Sequence, residues 1–331
     1  APDGTAYDQR SQMADRIMAA TQTTGIGLTM LPVHYQYGGC DKRPLVRGQC
    51  RFHNDLDGFA ALCDGIRKGL GNLPADTVFG VAPHSLRAVS PDSLGHTRAL
   101  GEGGPFHMHL AEQRAEVEEV SQHLGARPVE WVLGNIEVGP DCCFIHCTQM
   151  QPHETRGLAK TGAIAGLCPI TEASLGDGIF DGVAWFESGG MIAIGSDSNI
   201  RISLSEELRS LEYSQRLRDR SRAALAPSTA STGRHIFDAM IAGGARAAGR
   251  KTGQIAPGYW ADLMGLDKQS VTLAGRRGDQ LIDSFIFAGD DHLVRDVWSA
   301  GRHLVTEGRH HAHDKITSAY RAALTSLRHT L

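Results

Sequence analysis

The sequence contains no long apolar run, no basic tract and no pair of cysteines spaced C-x-x-C. A membrane-spanning helix needs about 18 or more consecutive apolar residues, so we expect no membrane span. Charges of both signs are mixed and the net charge is −4, which argues against a nucleic-acid partner. The first 16 residues are polar and turn-like and do not resemble a signal peptide.

Cysteine usage points to a reducing compartment. The chain has seven cysteines, an odd number, which argues against a disulfide framework. We expect those in apolar segments to be buried, namely Cys142, Cys143, Cys147 and Cys168. With 41% hydrophobic residues in 331, the chain can form one large domain, or a large domain with a smaller partner. A cytoplasmic globular protein is therefore expected.

Six short apolar segments alternate with helix-like stretches, which predicts parallel βαβ units. The segments are 25–35, 77–85, 105–112, 142–149, 163–170 and 191–197. Each ends in polar or ionisable residues, which are His34, His84, His109 with Glu112, His146, Thr171 with Glu172, and Asp197. Catalytic groups of a (β/α)₈ barrel come from the carboxyl ends of several strands, whereas ligands of an open doubly wound sheet gather at one switch point. The pattern therefore favours a barrel.

The C-terminal part of the chain has a different character. After helices predicted at 203–224 and 234–249, residues 252–310 show short β segments joined by Gly-Asp and Ala-Gly turns. An amphipathic helix is predicted at 314–329, with Ile316, Tyr320, Leu324 and Leu327 on one stripe. We therefore expect an α/β barrel over residues 1–250, and a portion of a β-sandwich plus the terminal helix over residues 251–331.

Four strand-end residues are candidates for metal binding and proton transfer. His107 and His109 share one face of a strand, and the pair fits one functional and one core histidine better than two ligands. Glu112 suits a general acid or base, or a glutamate at a helix N-terminus. His146 and Asp197 could each be structural, as a core histidine and a helix cap. Their convergence on one rim favours function.

Two further segments carry polar side chains of open interpretation. In APHSLR (82–87), Arg87 could bind a substrate carboxylate bidentately or bridge to an acid of a neighbouring loop, and His84 adds a hydrogen-bonding ring. The second His-x-His, His311-Ala312-His313, follows a turn and precedes a helix. We expect it to be an exposed loop.

Several strings resemble the amidohydrolase superfamily, and within it the formimidoylglutamate deiminase family most closely. They are FHMHLAEQ (106–113), FIHCTQM (144–150), GLCPITEASLGDGIFD (166–181) and IAIGSDSNIRISLSEELRSLEYSQRLR (192–218). The resemblance implies a (β/α)₈ barrel with a β-sandwich built from both chain ends. It also implies one divalent metal ion, usually zinc with iron as an alternative, and hydrolysis of N-formimino-L-glutamate to N-formyl-L-glutamate and ammonia.

The resemblance assigns a role to individual residues. His109 matches the metal ligand of the fifth barrel strand and Asp197 that of the eighth. Glu112 matches the glutamate that shuttles protons, and His146 the histidine beside the activated water. Two residues fall where the family contacts substrate, His84 and Arg87.

One family feature is absent from the sequence. The His-x-His of the first barrel strand, which supplies two further metal ligands, has no match, and residue 1 corresponds to a point just after the second strand. We therefore expect a fragment with barrel strands 3–8 that is inactive alone.

Two other functions remain open on the sequence. One is an amidohydrolase-type deaminase acting on a purine, a pyrimidine or another amidine-like substrate. The other is a non-catalytic barrel that serves as a scaffold. The 6% aromatic content and the rim arginine favour a small dicarboxylate substrate. We expect a homodimer whose partner is a small molecule.

Overall fold

The computed structural model describes residues 3–328. Parallel strands occupy the positions that the six apolar segments predict, and the first two segments each form two short strands. The strands are β1 (Thr29–Met30), β2 (Val33–His34), β3 (Val78–Phe79), β4 (Ala82–Pro83), β5 (Phe106–Leu110), β6 (Cys142–His146), β7 (Ile164–Leu167) and β8 (Met191–Ile194). β1 pairs with β3 and β2 with β4, while β5, β6, β7 and β8 pair in that order. A bridge between Val81 and Phe106 links the two groups.

Helices alternate with the strands along the chain, as expected for βαβ units, and the first helix precedes β1. They are α1 (Gln12–Thr24), α2 (Leu56–Leu70), α3 (Pro91–Ala99), α4 (Arg114–Leu124), α5 (Pro128–Asn135), α6 (Pro152–Lys160), α7 (Pro169–Leu175), α8 (Gly182–Glu187), α9 (Leu204–Asp219) and α10 (Thr232–Ala247). The α/β class predicted from the sequence is confirmed. Closure into an eight-stranded barrel stays a prediction.

Two helices differ from the sequence prediction. α1 includes part of the N-terminal stretch that looks polar and turn-like, and it packs on α2 while burying Met18 and Thr21. α9 ends at Asp219 rather than near residue 224, because Arg220 adopts a left-handed conformation with φ of 51°. A left-handed residue ends the helical hydrogen-bond ladder.

Strand β5 buries one face and directs its two histidines to the other. Phe106, Met108 and Leu110 are each at most 1% exposed, whereas the alternate residues His107 and His109 are half-buried. The prediction that the two histidines share a face is therefore confirmed. The four cysteines expected in the core are buried, and all seven cysteines are free.

Helix α10 lies directly against β8. A Cβ atom at Gly243 would overlap the carbonyl oxygen of Ile192, so only glycine permits this approach. The contact supports the strand that leads to Asp197.

An antiparallel sheet forms the C-terminal part. It contains β9 (Leu263–Leu266), β10 (Val294–Ser299), β11 (Arg302–Thr306) and β12 (Arg309–His310), in the order β12-β11-β10-β9. Between β9 and β10 the chain forms α11 (Asp279–Asp283), and the helical path continues through Ser284–Ala288. The prediction of β structure for 284–288 is wrong, because short apolar runs fit either a strand or a buried helix and Phe285 and Ile286 pack here in helical form.

A buried ion-pair network joins this sheet to the segment before β3. Asp76 is 3% exposed, and its carboxylate accepts hydrogen bonds from both terminal nitrogens of Arg302, at 3.0 and 2.7 Å. Arg250 contacts the same carboxylate at 3.2 Å and reaches Asp262 at 2.9 Å. The division of the chain into two units near residue 250 stays a prediction.

The terminal helix α12 (His313–Arg328) agrees with the amphipathic helix predicted at 314–329, of which residue 329 lies outside the described residues. Its apolar stripe is open to solvent, with Tyr320 63%, Leu324 38% and Leu327 55% exposed. Within residues 3–328, no helix combines the length and apolar character that crossing a membrane requires.

Candidate active site

Three strand-end residues converge into a group that could hold a metal ion. His109 lies on β5, His146 at the end of β6, and Asp197 just after β8. Their ligand atoms all lie within 4.8 Å of one another. Among the described residues 3–328, no other group of three or more histidine, cysteine or acidic side chains has such geometry.

The backbone at these strand ends is in an unusual conformation. Ala111, His146 and Asp197 have φ of 53°, 74° and 43°. Residues with a Cβ atom adopt this left-handed region rarely, and it is enriched at functional sites, where the surrounding structure enforces it. The turn at each strand end thus sets the direction of the side chains that form the group.

His109 is oriented by a backbone carbonyl. Its Nδ1–H donates to the carbonyl oxygen of His84 at 2.8 Å, so Nε2 carries the free lone pair. Burial lowers the pKa of His109 and therefore favours the neutral ring. A neutral imidazole with its other nitrogen hydrogen-bonded is the form that binds metals.

His146 lies between two carboxylates. Its Nδ1 is 3.2 Å from Glu172 Oε1, and its Nε2 is 3.7 Å from Glu112 Oε1. Burial opposes protonation of this ring, but the hydrogen bond to Glu172 and the charges of Glu112 and Glu172 outweigh it, so the pKa of His146 is raised. The sequence identifies Glu172 only as a polar strand-end residue and does not predict this contact.

Glu112 is fixed at the end of β5 by a second glutamate. Glu116, which is 1% exposed, accepts hydrogen bonds from the backbone N–H groups of Ala111 at 3.0 Å and Glu112 at 2.8 Å. Burial raises the pKa of Glu112, so its carboxyl group binds a proton more readily. Such a group can carry a proton during catalysis.

His84 lies against the ring of His109. The ring centroids are 4.8 Å apart, and the Tyr35 ring centroid lies 4.5 Å from that of His84 in an edge-on arrangement. Burial lowers the pKa of His84 to about 3, so this ring is neutral.

Arg87 extends to the acids beside the site. Its Nη2 lies 3.8 Å from Glu112 Oε2 and 3.9 Å from Glu116 Oε2. Within the described chain its guanidinium donates no hydrogen bond, and its Nε is buried without a partner. Arg87 thus has the neighbours of a bridging arginine, while its donors remain open to another acceptor.

The remaining histidine candidates lie apart from the group. His107 Nε2–H donates to the carbonyl oxygen of Ala247 at 2.7 Å, so this ring packs against the end of α10. His311 and His313 are exposed, as the sequence predicts. His311 Nε2 hydrogen-bonds with Thr306 Oγ1 at 3.0 Å.

The residues of the group fit a divalent metal ion. Two imidazoles and a carboxylate are a ligand set common to zinc and iron sites. His109 and His146 each have their Nδ1 hydrogen-bonded to an acceptor, which leaves both Nε2 atoms available. The polar support that metal-binding histidines require is therefore built into the chain.

One family profile and two known proteins resemble this chain over most of its length. The sequence profile of the amidohydrolase family matches residues 12–304. The formimidoylglutamate deiminase of Pseudomonas aeruginosa is 41% identical over 327 residues, which are 98% of this chain and 72% of that protein. The crystal structure of an amidohydrolase from Brucella melitensis is 46% identical and superposes with a TM-score of 0.93, over 98% of this chain and 72% of that one.

More distant proteins share parts of the sequence or the fold. The 5'-deoxyadenosine deaminase of Methanopyrus kandleri is 28% identical over 236 residues, 70% of this chain and 53% of that protein. An adenosine deaminase structure from Xanthomonas campestris with bound zinc is 22% identical, with a TM-score of 0.77 over 96% of this chain and 70% of that one. The latter likeness concerns the fold alone. Because the family profile matches most of the chain and a relative is 41% identical to it, the chain belongs to the amidohydrolase family.

Proposed function

We propose that the protein hydrolyses N-formimino-L-glutamate to N-formyl-L-glutamate and ammonia. The observation that carries this proposal is the meeting of His109, His146 and Asp197 beside Glu112. The substrate is supported by the Pseudomonas aeruginosa relative of that activity, which is similar along 98% of the chain. In the reaction the formimino carbon gains the oxygen of water, its bond to the terminal nitrogen breaks, and that nitrogen leaves as ammonia.

The metal ion is proposed to be zinc, with iron as an alternative, held by His109 Nε2 and the Asp197 carboxylate. When bound, such an ion would supply the charge that lowers the pKa of a water molecule toward about 7. One ring nitrogen of His146 is within 4.8 Å of the other two ligand atoms, so this ring would be close enough to contact water at the site.

Proton transfer is assigned to three side chains. The attacking water gives up one proton, to Asp197 or to His146 Nε2, and Glu112 delivers one proton to the departing nitrogen. The 3.7 Å between His146 Nε2 and Glu112 Oε1 exceeds a hydrogen bond. The two groups can therefore both face one reacting centre rather than saturate each other.

Arg87 is proposed to bind a carboxylate of the substrate, with His84 as a second contact. A guanidinium binds a carboxylate through two parallel hydrogen bonds, and the Arg87 side chain is 27% exposed. Its position beside Glu112 would bring the substrate's formimino group close to the proton carrier.

A deaminase acting on an adenosine-like substrate is the alternative, supported weakly by the Methanopyrus kandleri relative. The test is kcat/KM of the zinc-loaded complete gene product on N-formimino-L-glutamate and on 5'-deoxyadenosine. We expect at least about a 100-fold preference for N-formimino-L-glutamate, because paired carboxylate contacts discriminate strongly. The reverse preference would transfer the assignment to the deaminase. A protein that binds no metal and turns over neither substrate would be a scaffold.

The cellular location and the oligomeric state are further proposals. The free state of all seven cysteines supports a reducing compartment such as the cytoplasm. The homodimer stays a prediction, and light scattering of the purified protein would measure its mass directly.

A further inference from the structure

A single oxygen atom connects His146 to the first turn of α7. Glu172 Oε1 accepts a hydrogen bond from the backbone N–H of Cys168 at 3.0 Å and from His146 Nδ1 at 3.2 Å. The Glu172 residue is 4% exposed. Water therefore has little access to compete for either hydrogen bond.

This contact determines which nitrogen of His146 carries hydrogen. Because Glu172 Oε1 already accepts the backbone N–H of Cys168, it is an acceptor at this position, and Nδ1 is the nitrogen that carries hydrogen. In the neutral ring Nε2 then holds the lone pair. Since Nε2 faces Glu112, the neutral His146 ring can accept a proton or bind a cation on that side, and it cannot donate there.

The helix that carries Glu172 is itself anchored. Glu207 on α9, which is 2% exposed, accepts a hydrogen bond from the backbone N–H of Ile170 at 2.9 Å. Ile170 is the second residue of α7. The position of Glu172 relative to β6 is thus set by contacts on both sides of the helix start.

We propose that Glu172 is a positioning residue, which holds His146 in the Nδ1–H tautomer with Nε2 facing Glu112. The inference deepens the proposed function, on which it rests for the role of His146. Glu172, which lies outside the ligand group, keeps His146 Nε2 available to accept a proton.

Glu154 shows what a purely structural glutamate does at the start of a helix, and it can be compared with Glu172. Glu154 is 1% exposed, and it caps α6 by accepting the backbone N–H of Gln151 at 2.6 Å and Arg127 Nε at 2.9 Å. Both glutamates therefore bind backbone at the start of a helix that follows a strand. Of the two, Glu172 contacts His146, so Glu154 provides the matched control.

The experiment is ¹⁵N NMR of histidine-labelled complete gene product, with the metal removed by a chelator, and with His146 assigned through His146→Gln. The wild type should show the Nδ1–H tautomer for His146. Glu172→Met, which fills the same space without an acceptor, should give a mixture of tautomers. Glu172→Gln should keep the wild-type pattern, because one amide oxygen can accept both hydrogen bonds that Oε1 accepts.

Kinetics of the metal-loaded variants provide a second readout. Glu172→Met should lower kcat by about 10- to 100-fold with little change in KM, as found for groups that orient active-site histidines. Glu172→Gln should restore most of the loss, and Glu154→Met should change neither kcat nor the tautomer.

The two proposals can fail separately. An Nε2–H tautomer in the wild type, or an unchanged His146 pattern in Glu172→Met, would overturn the role of Glu172, and neither measurement requires turnover. A wild type that shows the Nδ1–H tautomer but does not hydrolyse N-formimino-L-glutamate would overturn the proposed function and leave the positioning contact supported.

Discussion

The Arg87 guanidinium lies 3.8 Å from the Glu112 carboxylate, so the proposed carboxylate-binding group and the proposed proton carrier are neighbours. The charge of Arg87 acts against the effect of burial, which raises the pKa of Glu112. A substrate carboxylate that approaches Arg87 would change this balance at the moment of binding. We therefore expect substrate recognition and proton transfer to be coupled through the Arg87–Glu112 ion pair.

Replacing Arg87 should separate the substrate contact from a structural bridge. Arg87→Met removes the charge at similar length, and we expect kcat/KM on N-formimino-L-glutamate to fall by about 30- to 1,000-fold, because a desolvated carboxylate loses its partner. An N-alkylformamidine without carboxylates should be affected much less, and metal content should not change. Equal losses on both substrates would identify Arg87 as a bridge. Arg98→Met, which removes an arginine paired with Asp141, is the control.

Replacing Glu112 should remove proton transfer and keep metal binding. Glu112→Gln retains the size of the side chain but cannot exchange a proton, so kcat should fall by about 10²- to 10⁴-fold. Glu118→Gln, an exposed position on the following helix, should retain full activity. Equal activity of wild type and Glu112→Gln would exclude Glu112 as the proton carrier.

Replacing Asp197 should affect both chemistry and the metal ion. In Asp197→Asn the amide is a poor proton acceptor and a weak ligand, so kcat should decrease by more than about 10³-fold while circular dichroism stays unchanged. Metal content measured by atomic emission should also fall. Near-normal turnover would remove Asp197 from the site.

Replacing Asp76 should test the network that attaches the C-terminal sheet. Asp76→Asn leaves the buried charge of Arg250 with fewer partners, and we expect a loss of about 3 kcal/mol in the free energy of unfolding at pH 7. The exposed control Asp41→Asn should leave that free energy unchanged. Urea denaturation of the three proteins measures the difference.

The contribution of Asp76 should also depend on pH. The hydrogen bonds from Arg302, and then those from Arg250, lower the pKa of Asp76 in the folded protein. Stability from this group is complete above the unfolded value of about 3.9 and is lost as the pH falls through the lower folded pKa. The difference in the free energy of unfolding between wild type and Asp76→Asn should therefore decrease in strongly acidic solution. A gap that stays constant down to pH 2 would contradict the assignment.

The sequence predicts those site residues whose position follows from strand periodicity. His109 shares a face with His107 because side chains alternate along β5, and His146 and Asp197 follow because parallel strands present their ends on one side. These predictions need no knowledge of packing.

Contacts between loops could not be predicted in the same way. Glu172 and His146 are 26 positions apart, and their contact depends on where the first turn of α7 lies relative to the end of β6. Glu116 offered a local signal, since a glutamate at the third helical position commonly binds the preceding backbone. Ser284–Ala288 illustrates a different error, because its apolar run of four residues, Phe285–Ala288, carries no periodicity that separates a strand from a helix.

The proposed reaction breaks the bond between the formimino carbon and its terminal nitrogen. The most direct measurement follows N-[¹³C]formimino-L-glutamate by ¹³C NMR with the metal-loaded complete gene product, and assays ammonia in parallel. We predict that the label moves entirely to N-formyl-L-glutamate, with one ammonia released per formyl group and no reaction after chelation. Labelled formamide together with free glutamate would show cleavage of the other carbon–nitrogen bond and would contradict the proposed reaction. An unchanged substrate would contradict it as well.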